Sequence, residues 1–176
     1  MEYMLMPLKR YADFSGRSRR MEFWMWQLFN FIVYIGFAVV SMMVLGGGMM
    51  MAAGDPNAAA TAGGGALILF ALYAIYGLAV IIPSIAVAVR RLHDTNRSGW
   101  WILLPVVPYV VMIAGVGGVA ASPDAAASGG AIVMLGMAAL AVTGLVLLVF
   151  YLLEGTKGPN RFGPDPKGGT NEEVFA

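Results

Sequence analysis

The side chains with chemistry to offer are few, and they gather in three short segments. Residues 14–24 carry Arg17, Arg19 and Arg20 ahead of Glu22. Residues 90–101 carry Arg90, Arg91, His93, Asp94 and Arg97, and residues 154–166 form a turn-rich stretch. A carboxylate can orient an imidazole, so His93 beside Asp94 invites a general-base reading. Sequence neighbours in a turn rarely face each other, and no serine or cysteine nucleophile motif accompanies them, so a catalytic constellation is incomplete. The structural alternative is a polar cluster closing one end of the fold. In it Glu22 pairs with Arg90 or Arg91, and Asp94 caps the next helix or pairs with Arg97. Ser18 is placed to cap the helix that follows it. All nine of these Arg, Glu, His and Asp residues are also candidates for contact with lipid headgroups. Gly155, Gly158 and Gly163 are not a phosphate loop, because no Gly-Lys-Ser/Thr ending follows and no strand precedes. With no cysteine and one histidine, thiolate and His-based metal sites are excluded, and neither a metal nor a cofactor is expected.

The elements that position these segments must be largely lipid-facing. Of 176 residues 59% are apolar and 12% charged, with a mean hydropathy of +0.75. Soluble domains are about 25% charged, so roughly half the charge needed for a watery surface is present, which excludes an ordinary soluble enzyme. Disorder is excluded by the excess of apolar side chains. Charge-free runs occupy residues 23–45, 66–89, 100–119 and 131–153, each 20 to 24 residues long. At about 1.5 Å per residue, each spans the roughly 30 Å of a bilayer core as an α-helix. A β-barrel is excluded because the runs do not alternate in polarity. The connections 46–65 and 120–130 are rich in Ala and Gly and read as flexible loops, although the first helix could extend to Met51. The first run is too long for a signal peptide and reads as a retained span.

Lys and Arg set the orientation. Five precede the first span, three lie in the second connection and three in the tail, which puts all 11 on one side. The positive-inside rule makes that side cytoplasmic. Trp24, Trp26, Trp100 and Trp101 lie at the same boundary, where an indole buries its ring and keeps its N–H at headgroup level. The sequence therefore predicts an all-α membrane protein, a four-transmembrane-helix bundle with both termini cytoplasmic. Residues 1–22 form a cytoplasmic or interfacial segment and residues 154–176 a cytoplasmic tail.

No ionisable Asp, Glu, Lys, Arg or His lies deep in a span, which argues against a proton pump or voltage sensor. The uncharged polar groups remain. Gln27, Asn30 and Tyr34 share one helix face by spacing. Tyr34, Tyr76, Tyr109 and Thr143 fall near the midplanes of the four spans, either as a polar layer for water or a small ligand or, more simply, as packing hydrogen bonds. Pro83 falls inside the second helix and Pro105 and Pro108 inside the third, where they shape it.

The three polar segments resemble the signature of the small bacterial inner-membrane proteins grouped as domain of unknown function 805. The matching motifs are Gly-Arg-x-x-Arg followed by Glu-Phe-Trp (16–24), Arg-Arg-Leu-His-Asp followed by Ser-Gly-Trp-Trp (90–101), and Gly-x-Asn-x-Phe-Gly-x-x-Pro (158–166). The resemblance covers nearly the whole chain and implies a bacterial cytoplasmic-membrane protein with four helices and no established catalytic role. The outer loops are longer here than is usual in that family, which suggests that the outer face carries little of the function. The leading expectation is a non-enzymatic membrane protein whose basic face meets membrane lipids, anionic ones in particular, or a membrane protein partner, with no nucleic acid involved. A small transporter or channel, assembled as a homo-oligomer because four helices enclose little space, is the alternative. A membrane enzyme using His93, Asp94 and Glu22 is the third.

Overall fold

A computed structural model describes residues 2–52, 56–121 and 126–168. Its elements are α1 (Glu2–Lys9), α2 (Arg20–Ala52), α3 (Pro56–Asp94), a short 3-10 helix (Gly99–Leu103), α4 (Val106–Ala121) and α5 (Ala126–Leu152). Among the described residues, four stretches are long and apolar enough to cross a membrane: Arg20–Gly47, Gly63–Asp94, Gly99–Ala120 and Ala127–Leu152. Large apolar side chains along them are exposed, among them Phe31, Phe70, Leu78, Val107 and Met134. Such faces suit hydrocarbon, where the helix satisfies its own backbone.

Two boundaries differ from the expectation. The connection 46–65 is helical up to Ala52 and again from Pro56, and Asp55 lies outside the described residues. Ala and Met are strong helix formers, and Pro56 occupies the first helical position, where its missing N–H has no partner to lose. The third span is not one helix, because Leu104 N–H bonds Trp101 O at 3.1 Å, a 3-10 closure, and α4 starts only at Val106. Continuing an α-helix from Trp100 would need N–H groups that Pro105 and Pro108 lack. Pro108 instead falls in the first turn of α4, where no intrahelical bond is due.

The chain divides into two compact units, Met1–Asp13 with Met21–Ala86 and Phe14–Arg20 with Val87–Ala176. In the first, Trp26 is fully buried and its indole N–H donates to Ser84 Oγ at 3.0 Å. Asn30 donates to Trp26 O at 2.9 Å and accepts from the Tyr76 hydroxyl at 2.8 Å. Helix α1, which the sequence did not reveal, leads to Tyr11, whose hydroxyl donates to Ala79 O at 2.7 Å. In the second unit α4 and α5 pack antiparallel over small residues. A Cβ added at Gly136 would lie 2.9 Å from the Met112 Cβ, and one at Gly115 would lie 3.0 Å from Gly129 O. Glycine at such crossings lets backbones approach closely.

Candidate functional site

The second unit concentrates the polar chemistry where α3 and α5 end. Helix α3 closes with a Schellman motif: Arg97 N–H bonds Leu92 O and Asn96 N–H bonds His93 O, both at 2.9 Å, with Asn96 at φ 57°. This turn leaves Arg91 and Asp94, three residues apart, on one face. Arg91 Nη1 meets Asp94 Oδ2, and Arg17 Nε meets Asp94 Oδ1 at 3.0 Å. The three side chains are almost inaccessible, at 0%, 7% and 1% for Arg91, Asp94 and Arg17. A charge taken out of water costs several kcal/mol unless it is paired and its remaining donors are satisfied. Both guanidinium groups meet that condition. Arg91 donates to Tyr151 O at 3.2 Å and to Leu153 O, and thereby satisfies carbonyls that the end of α5 leaves open. Arg17 donates to Gly158 O at 2.6 Å and to Thr156 O.

The tail is thereby fixed to the end of α3. Thr156 N–H bonds Asp94 O at 2.9 Å, and Asn160 Nδ2 donates to His93 O and Thr156 Oγ1, both at 2.9 Å. Asn160 and Gly163 exchange backbone bonds at 3.0 Å, with Gly158 at φ 76° shaping the turn. Gly155 lies directly against the Asp94 carboxylate, with no room for a Cβ. The His93 ring stacks on Phe162 at 3.9 Å and 4°, and its Nδ1 donates to Gly16 O at 3.2 Å. Asp165 accepts from Lys167 N–H and Gly158 N–H, both at 2.9 Å, and these bonds hold its carboxyl below the ordinary value of 3.8.

Several expectations change. Asp94 neither caps the next helix nor pairs with Arg97, because Arg17 and Arg91 occupy its two oxygens. Ser98 caps the 3-10 helix, and Arg97 lies over the Phe150 ring at 4.0 Å. Ser18 is not the cap of α2, which begins at Arg20; its buried hydroxyl has no hydrogen-bond partner among the described residues, while its N–H bonds Arg90 O at 3.2 Å. His93 and Asp94 turn to different partners. Of the residues offered for headgroups, Arg17, Glu22, Arg90, Arg91 and Asp94 are buried, Arg19, His93 and Arg97 are half-buried, and Arg20 is exposed. Among the midplane residues, Tyr34 and Tyr76 meet edge to face at 5.7 Å. Thr143 bonds its own helix at Ala139 O, 2.9 Å, and Tyr109 is half exposed. Sequence reasoning missed Thr156, Asn160 and Phe162 as partners of α3. Asn160 and Phe162 stand in the tail motif that carries the family resemblance, whereas Thr156 was marked only by the turn-rich character of the tail.

Beyond the end of α5, a cavity of about 110 Å³ opens beside this cluster. Arg17, Arg19, Arg20, Lys157 and Lys167 line it, with Asp94, Glu154 and Asp165 facing them.

The family described as Protein of unknown function (DUF805) matches residues 11–164. "Inner membrane protein YhaI" of Escherichia coli strain K12 is 36% identical over 171 residues, covering 97% of this chain and all of that protein. "Inner membrane protein YhaH" of the same strain is 33% identical over 167 residues, covering 95% of this chain and 98% of that protein. No solved structure matches the chain.

Proposed function

Because the chain belongs to the DUF805 family and is a multi-pass inner-membrane protein, we propose that it is a non-catalytic membrane protein, both termini cytoplasmic, whose folded polar end engages anionic lipid headgroups. One observation carries the reading. The Asp94 clamp fixes the tail so that the cations Arg20, Lys157 and Lys167 stand beside the last turn of α5, where that helix leaves the apolar layer. The buried arginines hold the fold together and the accessible ones face outward. Each basic group near an anionic surface contributes about 1 kcal/mol of attraction. The placement of His93 between Gly16 O and the Phe162 ring suits a packing role.

The test uses full-length protein reconstituted in vesicles of phosphatidylcholine with rising fractions of phosphatidylglycerol. Enrichment of the acidic lipid around the protein, lost at high salt as exposed charges are screened, is the expected result. Equal affinity for neutral and acidic lipid would overturn it. Orientation is read separately. The chain has no cysteine, so a single cysteine placed at Ser15 reports its side by labelling with an impermeant maleimide in intact cells. Protection there, with labelling after lysis, is expected.

A further inference from the structure

The cavity beyond α5 is more than a patch of surface charge. Five cationic side chains face three carboxylates, an excess of two positive charges. Two of those carboxylates are already engaged: Asp94 by Arg17 and Arg91, and Asp165 by two backbone N–H groups. Glu154 is different. Its Oε1 lies 3.2 Å from Arg20 and 4.0 Å from Lys167, and its side chain is 64% exposed, so it is a loosely held anion at the mouth. Arg19 directs Nε and Nη2 to a single acceptor, Pro166 O, and leaves Nη1 without a hydrogen bond among the described residues. The Lys157 ammonium likewise has no partner among them.

We propose that this cavity binds a phosphate monoester, which displaces the Glu154 carboxylate. A monoester carries about −1.5 to −2 charge at pH 7 and three strong acceptor oxygens, which matches the charge excess. Its geometry suits the free edge of Arg19 and the point charges of Lys157 and Lys167. Sites for drug-sized ligands measure about 300 to 1,000 Å³, so 110 Å³ admits the phosphate and leaves the rest of the molecule outside. The phosphate could be borne by a lipid headgroup or by a soluble ester, and the cavity chemistry is the same for both. The proposal rests on the reading that the polar end engages anionic groups.

The experiment titrates full-length protein in neutral detergent with short-chain phosphatidic acid, phosphatidylglycerol and phosphatidylcholine, and repeats the first titration against inorganic phosphate. Phosphatidic acid is expected to bind about tenfold tighter than phosphatidylglycerol, a difference of about 1.4 kcal/mol. Lys157→Gln should weaken that binding and Glu154→Gln should strengthen it. Both side chains are exposed, so neither change threatens the fold. Competition by inorganic phosphate supports the site with a soluble ligand, whereas lipid binding that phosphate does not displace supports the site with a lipid one. Equal affinity for the two acidic lipids, or an unchanged preference in both variants, overturns the cavity proposal while leaving headgroup engagement standing. No preference of either acidic lipid over phosphatidylcholine overturns both.

Discussion

The Tyr11 hydroxyl donates to the Ala79 carbonyl at 2.7 Å, and that carbonyl is the one Pro83 leaves without an N–H. In an α-helix the carbonyl of residue i accepts from residue i+4, so Ala79 would be unpaired in hydrocarbon. Membrane helices tolerate proline when a neighbour supplies the missing donor. Here the donor arrives from Tyr11, two residues beyond the end of α1.

Tyr11→Phe should therefore destabilise the protein by about 0.5 to 1.5 kcal/mol, the usual net worth of a hydrogen bond. Pro83→Ala restores the backbone donor, so the Tyr11→Phe penalty should shrink in that background. Unfolding in mixed micelles of mild detergent and dodecyl sulfate reads both. Strict additivity of the two changes would show that Tyr11 does not serve the Pro83 gap.

Asp94→Asn removes the carboxylate shared by Arg17 and Arg91 and leaves two buried cations without it. Breaking a buried pair on one side costs about 3 to 5 kcal/mol, so little folded protein should remain. Arg17→Lys should fare poorly too, because a single ammonium cannot reach Asp94, Thr156 and Gly158 at once. The folded fraction after size-exclusion chromatography measures this. Wild-type yield for Arg17→Lys would mean that charge alone suffices.

His93→Phe keeps a ring against Phe162 and loses only the contact to Gly16 O, whereas His93→Ala loses both. An aromatic pair contributes about 0.5 to 1.5 kcal/mol, so phenylalanine should retain most of the stability that alanine loses. If His93 instead carried proton chemistry, phenylalanine and alanine would be equally defective in any cellular phenotype at equal abundance.

The tail should loosen in acid through Asp165. Its folded value lies below the ordinary one, so the contribution is fully present above the unfolded value and is lost as pH falls through the folded value. Proteolysis at Lys157 and Lys167 should thus be flat from neutral pH down to the ordinary carboxylate range and rise below it. Asp165→Asn should cleave readily at neutral pH and lose that acid dependence. An identical pH profile in the two proteins would count against Asp165 as the group that holds the tail.

Much of this molecule was legible in its residues, and the boundary of legibility has a physical cause. Hydropathy and charge are local sums along the chain. They located four spans, which agree with the four stretches long and apolar enough to cross a membrane among the described residues, and they marked out the three polar segments. Local chemistry misled where two signals competed. The Gly-rich 46–65 stretch read as a loop although its Ala and Met continue the helices, and Pro105 and Pro108 were placed inside a helix that begins around them.

The sequence by itself determined the membrane setting, because span length and hydropathy need no partner to be counted. Only the tertiary structure decided which ions meet. Arg17 reaches Asp94 across 77 positions, and Arg91 reaches Leu153 across 62. A buried charge accepts whichever carboxylate or carbonyl the fold brings within hydrogen-bond distance. Spacing along the chain offered Arg97 to Asp94, and the turn after α3 carried Arg97 to the Phe150 ring instead.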